Sequence, residues 1–387
     1  MAEHRTAGRV GDIAPFHVMA ILARAQALEA AGRDIVHLEI GEPDFATPAP
    51  VVEAGVAALR GGRTHYTDAR GLPALREAIA GFHATRWQAA VDPDRVVVTP
   101  GASGALLLAL GLLTGPGDEV LMADPGYPCN RHFAGFCDAR PVSVPVDAGS
   151  GFQLTLEAVE RHATPSTRAV LIASPSNPTG TVIPPHELGR IREWCRARGV
   201  ALIVDEIYLA LTYDGDEHSA ARWDDVFVVN SFSKYFLMTG WRLGWLVAPA
   251  WAIPALERLA QNLFLAPSTP AQHAALAAFS PANLAQLDAR KAELRARRDF
   301  LLPALRDRGF AIPVVPQGAF YLYADCSRFT ADSEAFARQL LEQAGVAVTP
   351  GIDFAQHDAK RHVRFAYTQP LPRLAEALNR IDHFLQA

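Results

Sequence analysis

Residues 231–244 read SFSKYFLMTGWRLG, and the apolar run just upstream, Val226 to Val229, reads as a buried strand. That strand delivers Ser231, Ser233 and then one lysine, Lys234, with a second cation, Arg242, beyond Thr239-Gly240-Trp241. A lysine at the end of a buried strand is partly desolvated, which lowers its pKa and leaves a usable amine nucleophile. Two hydroxyls and a guanidinium beside it are donors able to grip a phosphate. An amine next to a phosphate cradle is what a Schiff base with pyridoxal 5'-phosphate requires.

Composition narrows the rest. The 387 residues are half apolar and one-fifth charged, the balance of a globular protein with two or three domains. A net charge of −5 supplies no surface for nucleic acid or anionic membrane. Cys129, Cys137, Cys195 and Cys326 form no C-x-x-C pair, and no histidine lies in an H-E-x-x-H or Cys/His cluster. They read as reduced thiols, with no disulfide framework and no metal site. The N-terminal stretch MAEHRTAGRVGDIAPF lacks the design of a secretory signal, and the longest apolar run, Ala105 to Leu113, is too short to span a bilayer. The expectation is a cytoplasmic protein with neither membrane nor nucleic acid as partner.

Working outward from Lys234, two further strand runs end in polar residues. AVLIASPSNPTG closes on Asn177, and ALIVDEIY closes on Asp205 and Glu206, with Tyr208 just beyond. Ligands of open α/β sheets bind at this carboxyl edge. A carboxylate there needs a partner, and a protonated pyridine nitrogen is one. Earlier, VVVTPGASGALLLALGLL reads as a strand, a small-residue turn and a helix, whose first N–H groups, at Ala102 and Ser103, form an anion site. It is neither a dinucleotide fingerprint nor a Walker loop. EVLMADPGYPCN holds Tyr127 between two prolines, stiff enough to stack on a flat ring. Gly41, in GEPDFATP, lets the backbone approach closely, and Tyr66 precedes the helix of GLPALREAIAGF in an exposed turn. Helical periods fill residues 251–308, and VVPQGAFYLYADC then gives a bend into an alternating strand. Runs at Val346–Val348 and Val363–Ala366 follow, the second carrying Arg364, before a helix near Leu371–Phe384.

The order G-E-P-D-F, Y-T…G-L-P-x-L-R-E, P-G-Y-P, N-P-T-G, D-E-x-Y and S-F-S-K…R-L-G covers nearly the whole chain and resembles the class I/II aminotransferases of fold type I. The resemblance implies a large domain, residues 46–280, with a mostly parallel seven-stranded sheet between helices. It implies a smaller α+β domain from residues 1–45 and 281–387. It further implies an L-amino acid transaminase in which Lys234 forms the Schiff base, passes through pyridoxamine phosphate and hands the amino group to a 2-oxo acid. Asp205 would face the ring nitrogen, and Asn177 and Tyr208 the ring oxygen. Tyr127 would stack on the ring, while Ser231, Ser233, Arg242, Ala102 and Ser103 hold the phosphate. The carboxylate of the substrate would meet Arg364, Asn177 and the N–H of Gly41. Tyr66 would reach the phosphate of a neighbouring subunit, making a homodimer with shared sites. Asn130 stands where many relatives carry an aromatic. A C–S β-lyase on the same scaffold is the alternative. A cofactor-binding regulator would need a DNA-binding module, for which the stretch before residue 41 has no room. Glutamate with 2-oxoglutarate as one substrate pair follows from the family alone, and Phe16, Phe320, Trp241, Arg63, Arg70 and Arg131 are all candidates for the side-chain pocket.

Overall fold

The computed structural model describes residues 6–386. Its strands are β1 (Val36–His37), β2 (Val96–Thr99), β3 (Glu119–Asp124), β4 (Arg140–Pro145), β5 (Thr167–Ala173), β6 (Ala201–Asp205), β7 (Phe227–Ser231) and β8 (Gly244–Val247), then β9 (Tyr321–Asp325), β10 (Val346–Ala347), β11 (Thr349–Pro350) and β12 (His362–Ala366). The helices before the long connection are α1 (His17–Ala30), α2 (Ala49–Arg60), α3 (Pro73–Trp87), α4 (Gly101–Leu113), α5 (Pro128–Phe136), α6 (Leu156–His162) and α7 (Pro185–Arg198). After it come α8 (Ile253–Leu263), α9 (Thr269–Ala278), α10 (Pro281–Asp307), α11 (Ser333–Gln339) and α12 (Leu371–Gln386).

Seven strands form one sheet in the order β2-β8-β7-β6-β5-β3-β4, parallel except for β8, which runs antiparallel to both β7 and β2. Strands of such a sheet are covered on both faces, so they read as continuous apolar runs without alternation. The two faces are distinct: Val96, Val170, Val204 and Val228 pack into one apolar cluster, and Val97, Leu171, Ile203 and Val229 into another. Helices supply the rest of both layers. Pro73, Pro128 and Pro185 open three of them at positions where no N–H is needed, and Gly199, at φ +66°, closes α7.

The C-terminal part carries a three-stranded antiparallel sheet, β11-β12-β9, and β1 joins it from the N-terminal side by pairing parallel with β10. Two details differ from the sequence reading. The strand expected at Val346–Val348 is cut to Val346–Ala347, paired with β1; Val348 leaves it, and the chain enters another sheet only at Thr349, opposite Arg364. The strand expected to alternate, β9, is buried from Tyr321 to Ala324 on both faces, because helices and the large sheet's loops cover the two sides. Arg297 of α10 ties the N-terminal segment to the C-terminal part, donating to the carboxylate of Asp44 and to the carbonyl of Thr368, each at 2.7 Å.

Candidate active site

Strands β5, β6 and β7 are neighbours, so their carboxyl ends present Asn177, Asp205 and Lys234 side by side. Asp205 is the last residue of β6. One of its oxygens accepts the N–H of Ile207 at 3.1 Å, and among the described residues the other has no donor. Burial pushes its carboxyl up to about 6. The Lys234 Nζ donates to the carbonyl of Gly41 at 2.7 Å and lies 6.0 Å from the ring centres of Tyr208 and Phe320. Burial pushes this amine down to about 8; Arg364 and Arg242 act in the same direction, against Glu42 and Asp205. A lysine so placed yields its proton near neutrality.

Arg364 enters from the smaller sheet. Its guanidinium donates to Asn177 Oδ1 at 3.0 Å, to Thr349 Oγ1 at 3.3 Å and to the Glu39 carbonyl. It lies 4.3 Å over the Tyr321 ring and 4.6 Å from that of Phe354, and among the described residues its buried Nε–H has no partner. Tyr321 was not singled out from the sequence. Its hydroxyl meets the Tyr208 hydroxyl at 2.8 Å and sits where a Cβ on residue 41 would be, so Gly41 has no room for a side chain.

At the other end, α4 starts at Gly101 with φ +72°, and the first-turn N–H groups of Ala102 and Ser103 line the opening. Arg242, itself left-handed at φ +53°, lies so close that a Cβ on Gly101 would meet its Nη2 at 2.6 Å. Gly244 is as tightly held: a Cβ there would be 2.7 Å from the Ala102 nitrogen. A left-handed arginine is strained backbone, and such strain is characteristic of binding sites. Ser231 Oγ accepts the Ser233 N–H at 3.0 Å and donates to the Leu243 carbonyl at 3.3 Å. Tyr127 precedes α5 and meets Phe16 edge-on at 6.5 Å.

Every residue to which the resemblance gives a cofactor or substrate role, except Tyr66, lines one open cavity of about 210 Å³. Tyr66 is 82% exposed, away from it. Asn130 is buried behind Tyr127 and lines a separate pocket with Gln153 and Ser176. Phe16 lines the main cavity. Trp241 does not, and instead bonds Thr47 through its indole N–H at 3.2 Å. Arg63, Arg70 and Arg131 do not line it either; Arg70 faces Glu257 at 3.5 Å and Arg131 the Asp353 carbonyl at 3.0 Å. Among the described residues no cluster of three or more metal-ligating side chains occurs, and no helix is long and apolar enough to cross a membrane.

The donor set fits a phosphorylated pyridine aldehyde. Asp205 is a buried acid with an oxygen open to a cationic ring nitrogen, Lys234 is an amine of lowered basicity, and two side-chain-free glycines clear space between Arg242 and the start of α4. Residues 33–381 match the family described as aminotransferase class I and II. The chain is 42% identical to a valine–pyruvate aminotransferase of Mycobacterium tuberculosis over 98% of each protein, and 36% identical to an aspartate aminotransferase of Geobacillus stearothermophilus over 99% of each. It superposes on the crystal structure of an aminotransferase from Mycobacterium tuberculosis with a TM-score of 0.95, at 41% identity over 99% of this chain and all of that one. This chain belongs to the class I and II aminotransferases: it has the fold-type I architecture and is a pyridoxal-phosphate-dependent transaminase of amino acids. Nothing among these relatives favours the C–S β-lyase alternative.

Proposed function

We propose that Lys234 carries the chemistry of this transaminase and that the other cavity residues divide between cofactor and substrate as the sequence motifs imply. Pyridoxal phosphate, when bound, supplies an aldehyde for the amine and a ring that accepts the electron pair released at the α-carbon. Asp205 holds a proton on the ring nitrogen, for which its open, buried oxygen is suited. Asn177 and Tyr208 donate to the ring oxygen, and Tyr127 covers one face of the ring. The N–H groups of Ala102 and Ser103, with Ser231, Ser233 and Arg242, hold the phosphate, the helix terminus adding its partial positive charge.

The substrate's α-carboxylate docks on Arg364, whose forked geometry and Nε–H, without a partner among the described residues, suit it, with Asn177 and the N–H of Gly41 beside it. Lys234 then takes the α-proton and returns it one atom away, its lowered basicity making both transfers accessible near neutral pH. The observation that carries this reading is the convergence of Lys234, Asp205, Asn177 and Arg364 on a single cavity from three adjacent strand ends and a second sheet.

Tyr66 acts on the phosphate of a second copy, in a homodimer with shared sites working in the cytoplasm. Its 82% exposure supports this, as do Leu263 and Leu265, apolar yet 58% and 57% exposed. We assign residues 46–280 to the cofactor-binding domain, and 1–45 with 281–387 to the smaller one, which the β1–β10 pairing supports. The experiment is an absorption spectrum of the protein loaded with pyridoxal phosphate, before and after single amino acids. Loss of the visible band, restored by a 2-oxo acid, is the expected result. A band that returns unaided with release of ammonia and pyruvate would mean the β-lyase.

A further inference from the structure

The roles above leave one end of the cavity unassigned. Gly41 touches Lys234 through its carbonyl, and Ile40 precedes it, so the wall beside the reactive amine begins as hydrocarbon. Phe16, Val18 and Met19 at the start of α1 line the same cavity and are apolar as well. Among the described residues, the cations lining the cavity are Lys234, Arg242 and Arg364. None serves this end: Arg242 lies against Gly101 at the start of α4, and Arg364 is given to the α-carboxylate.

The charged groups around this end face elsewhere or carry the wrong sign. Arg131, on α5, turns its guanidinium to the Asp353 carbonyl at 3.0 Å. The ring of His17 faces Glu334 at 3.6 Å. Asp353 is 2% exposed, and its carboxylate accepts the N–H groups of His17 and Val18, each at 2.8 Å. Its charge therefore lies directly under the Phe16–Val18 turn. Glu42, next to Gly41, accepts from the Thr239 hydroxyl. A second carboxylate entering here would shed its water without gaining a cation, and would meet Asp353 besides. A hydrocarbon side chain has no such cost and gains by leaving water.

We propose that this transaminase takes amino acids with uncharged apolar side chains and, as acceptor, a monocarboxylic 2-oxo acid such as pyruvate, in place of the glutamate/2-oxoglutarate pair. The proposal rests on the roles given to Lys234 and Arg364. The exchange balances: the donor's amino-bearing carbon becomes a carbonyl, the acceptor's carbonyl becomes amino-bearing, and no outside oxidant is needed.

The test uses the loaded enzyme in two measurements. Single-turnover loss of the visible band is followed with L-alanine, L-leucine, L-aspartate and L-glutamate. Calorimetry then compares two unreactive acids, 4-methylpentanoate and glutarate. L-Leucine should react at least about 10-fold faster than either acidic amino acid at equal subsaturating concentration, and 4-methylpentanoate should bind at least about 10-fold tighter than glutarate. Met19→Arg, at a half-exposed position of the wall, should shrink both ratios. Acidic amino acids reacting faster, or glutarate binding tighter, would overturn the proposal and put the missing cation on a second copy. Failure of every amino acid, L-alanine included, would strike the Lys234 assignment instead, and the binding ratio of the two unreactive acids would still judge the pocket.

Discussion

Asp205 and Glu206 are neighbours in the chain, both are buried, and burial raises both carboxyl groups, to about 6 and about 8. They lead opposite lives. Glu206 points away from the cavity, where Ser219 Oγ donates to one oxygen at 2.7 Å and the Ala220 N–H to the other at 2.5 Å. Asp205 faces the cavity with one backbone donor and an oxygen to spare. The Arg297–Asp44 pair, outside the cavity, resembles Glu206 in that its two charges meet each other. A buried charged group is costly unless paired, so capacity left open inside a fold marks where a ligand completes the pairing.

The largest effect should come from Lys234, the group on the floor for which no neighbour can substitute. Lys234→Ala is expected to lower kcat by about 10³-fold or more, the scale of losing an acid–base group, while the protein still folds. Near-parent turnover in that variant would end its role. Next comes the adjacent pair. Asp205→Asn should cost about 10²-fold in kcat, as the loss of a charge-assisted partner does, whereas Glu206→Gln should leave kcat within about threefold and lower only the unfolding free energy, by about 1 kcal/mol. Equal losses in the two variants would break the distinction between spent and unspent acids.

Arg364 sharpens it from the substrate side. Arg364→Ala should raise KM for every amino acid by about 50-fold, and Arg364→Lys should recover little, because the charge survives but the fork does not. An unchanged KM in both variants would remove Arg364 from the carboxylate.

How much of this was legible in the chain follows the same division. Lys234, Asp205 and Asn177 stand just past buried β-branched runs, and consecutive parallel strands place such ends together, so one local pattern repeated along the chain located the floor. Tyr321 carries no such pattern. It lies among aromatics in a buried strand, and its place beside Arg364, Tyr208 and Gly41 depends on contacts from residues far away in sequence. The apolar end is less legible still, since Phe16 and Ile40 come from separate segments that only folding joins. The end of β10 at Ala347 and the change of sheet at Thr349 were hidden for a similar reason: a short apolar run states burial but not its partner.

The smallest expected effect tests the shell itself. His37 is held between Glu39, 2.7 Å from its Nδ1, and Glu29, 3.1 Å from its Nε2. The hydrogen bond it donates to Glu39 is the main cause that raises its pKa to about 9, overcoming the opposing effect of burial. A histidine whose folded pKa lies above its unfolded value of about 6.5 stabilises fully below that value and loses the contribution as pH rises through 9. The segment it braces matters to the site, because the carbonyl of Glu39 receives Arg364 and that of Gly41 receives Lys234. Urea unfolding of the parent and of His37→Gln should therefore differ by about 1–2 kcal/mol at pH 6, and the two curves should converge by about pH 10. A difference that persists at high pH would mean that His37 acts by packing alone and that its two carboxylates are not satisfied by its charge.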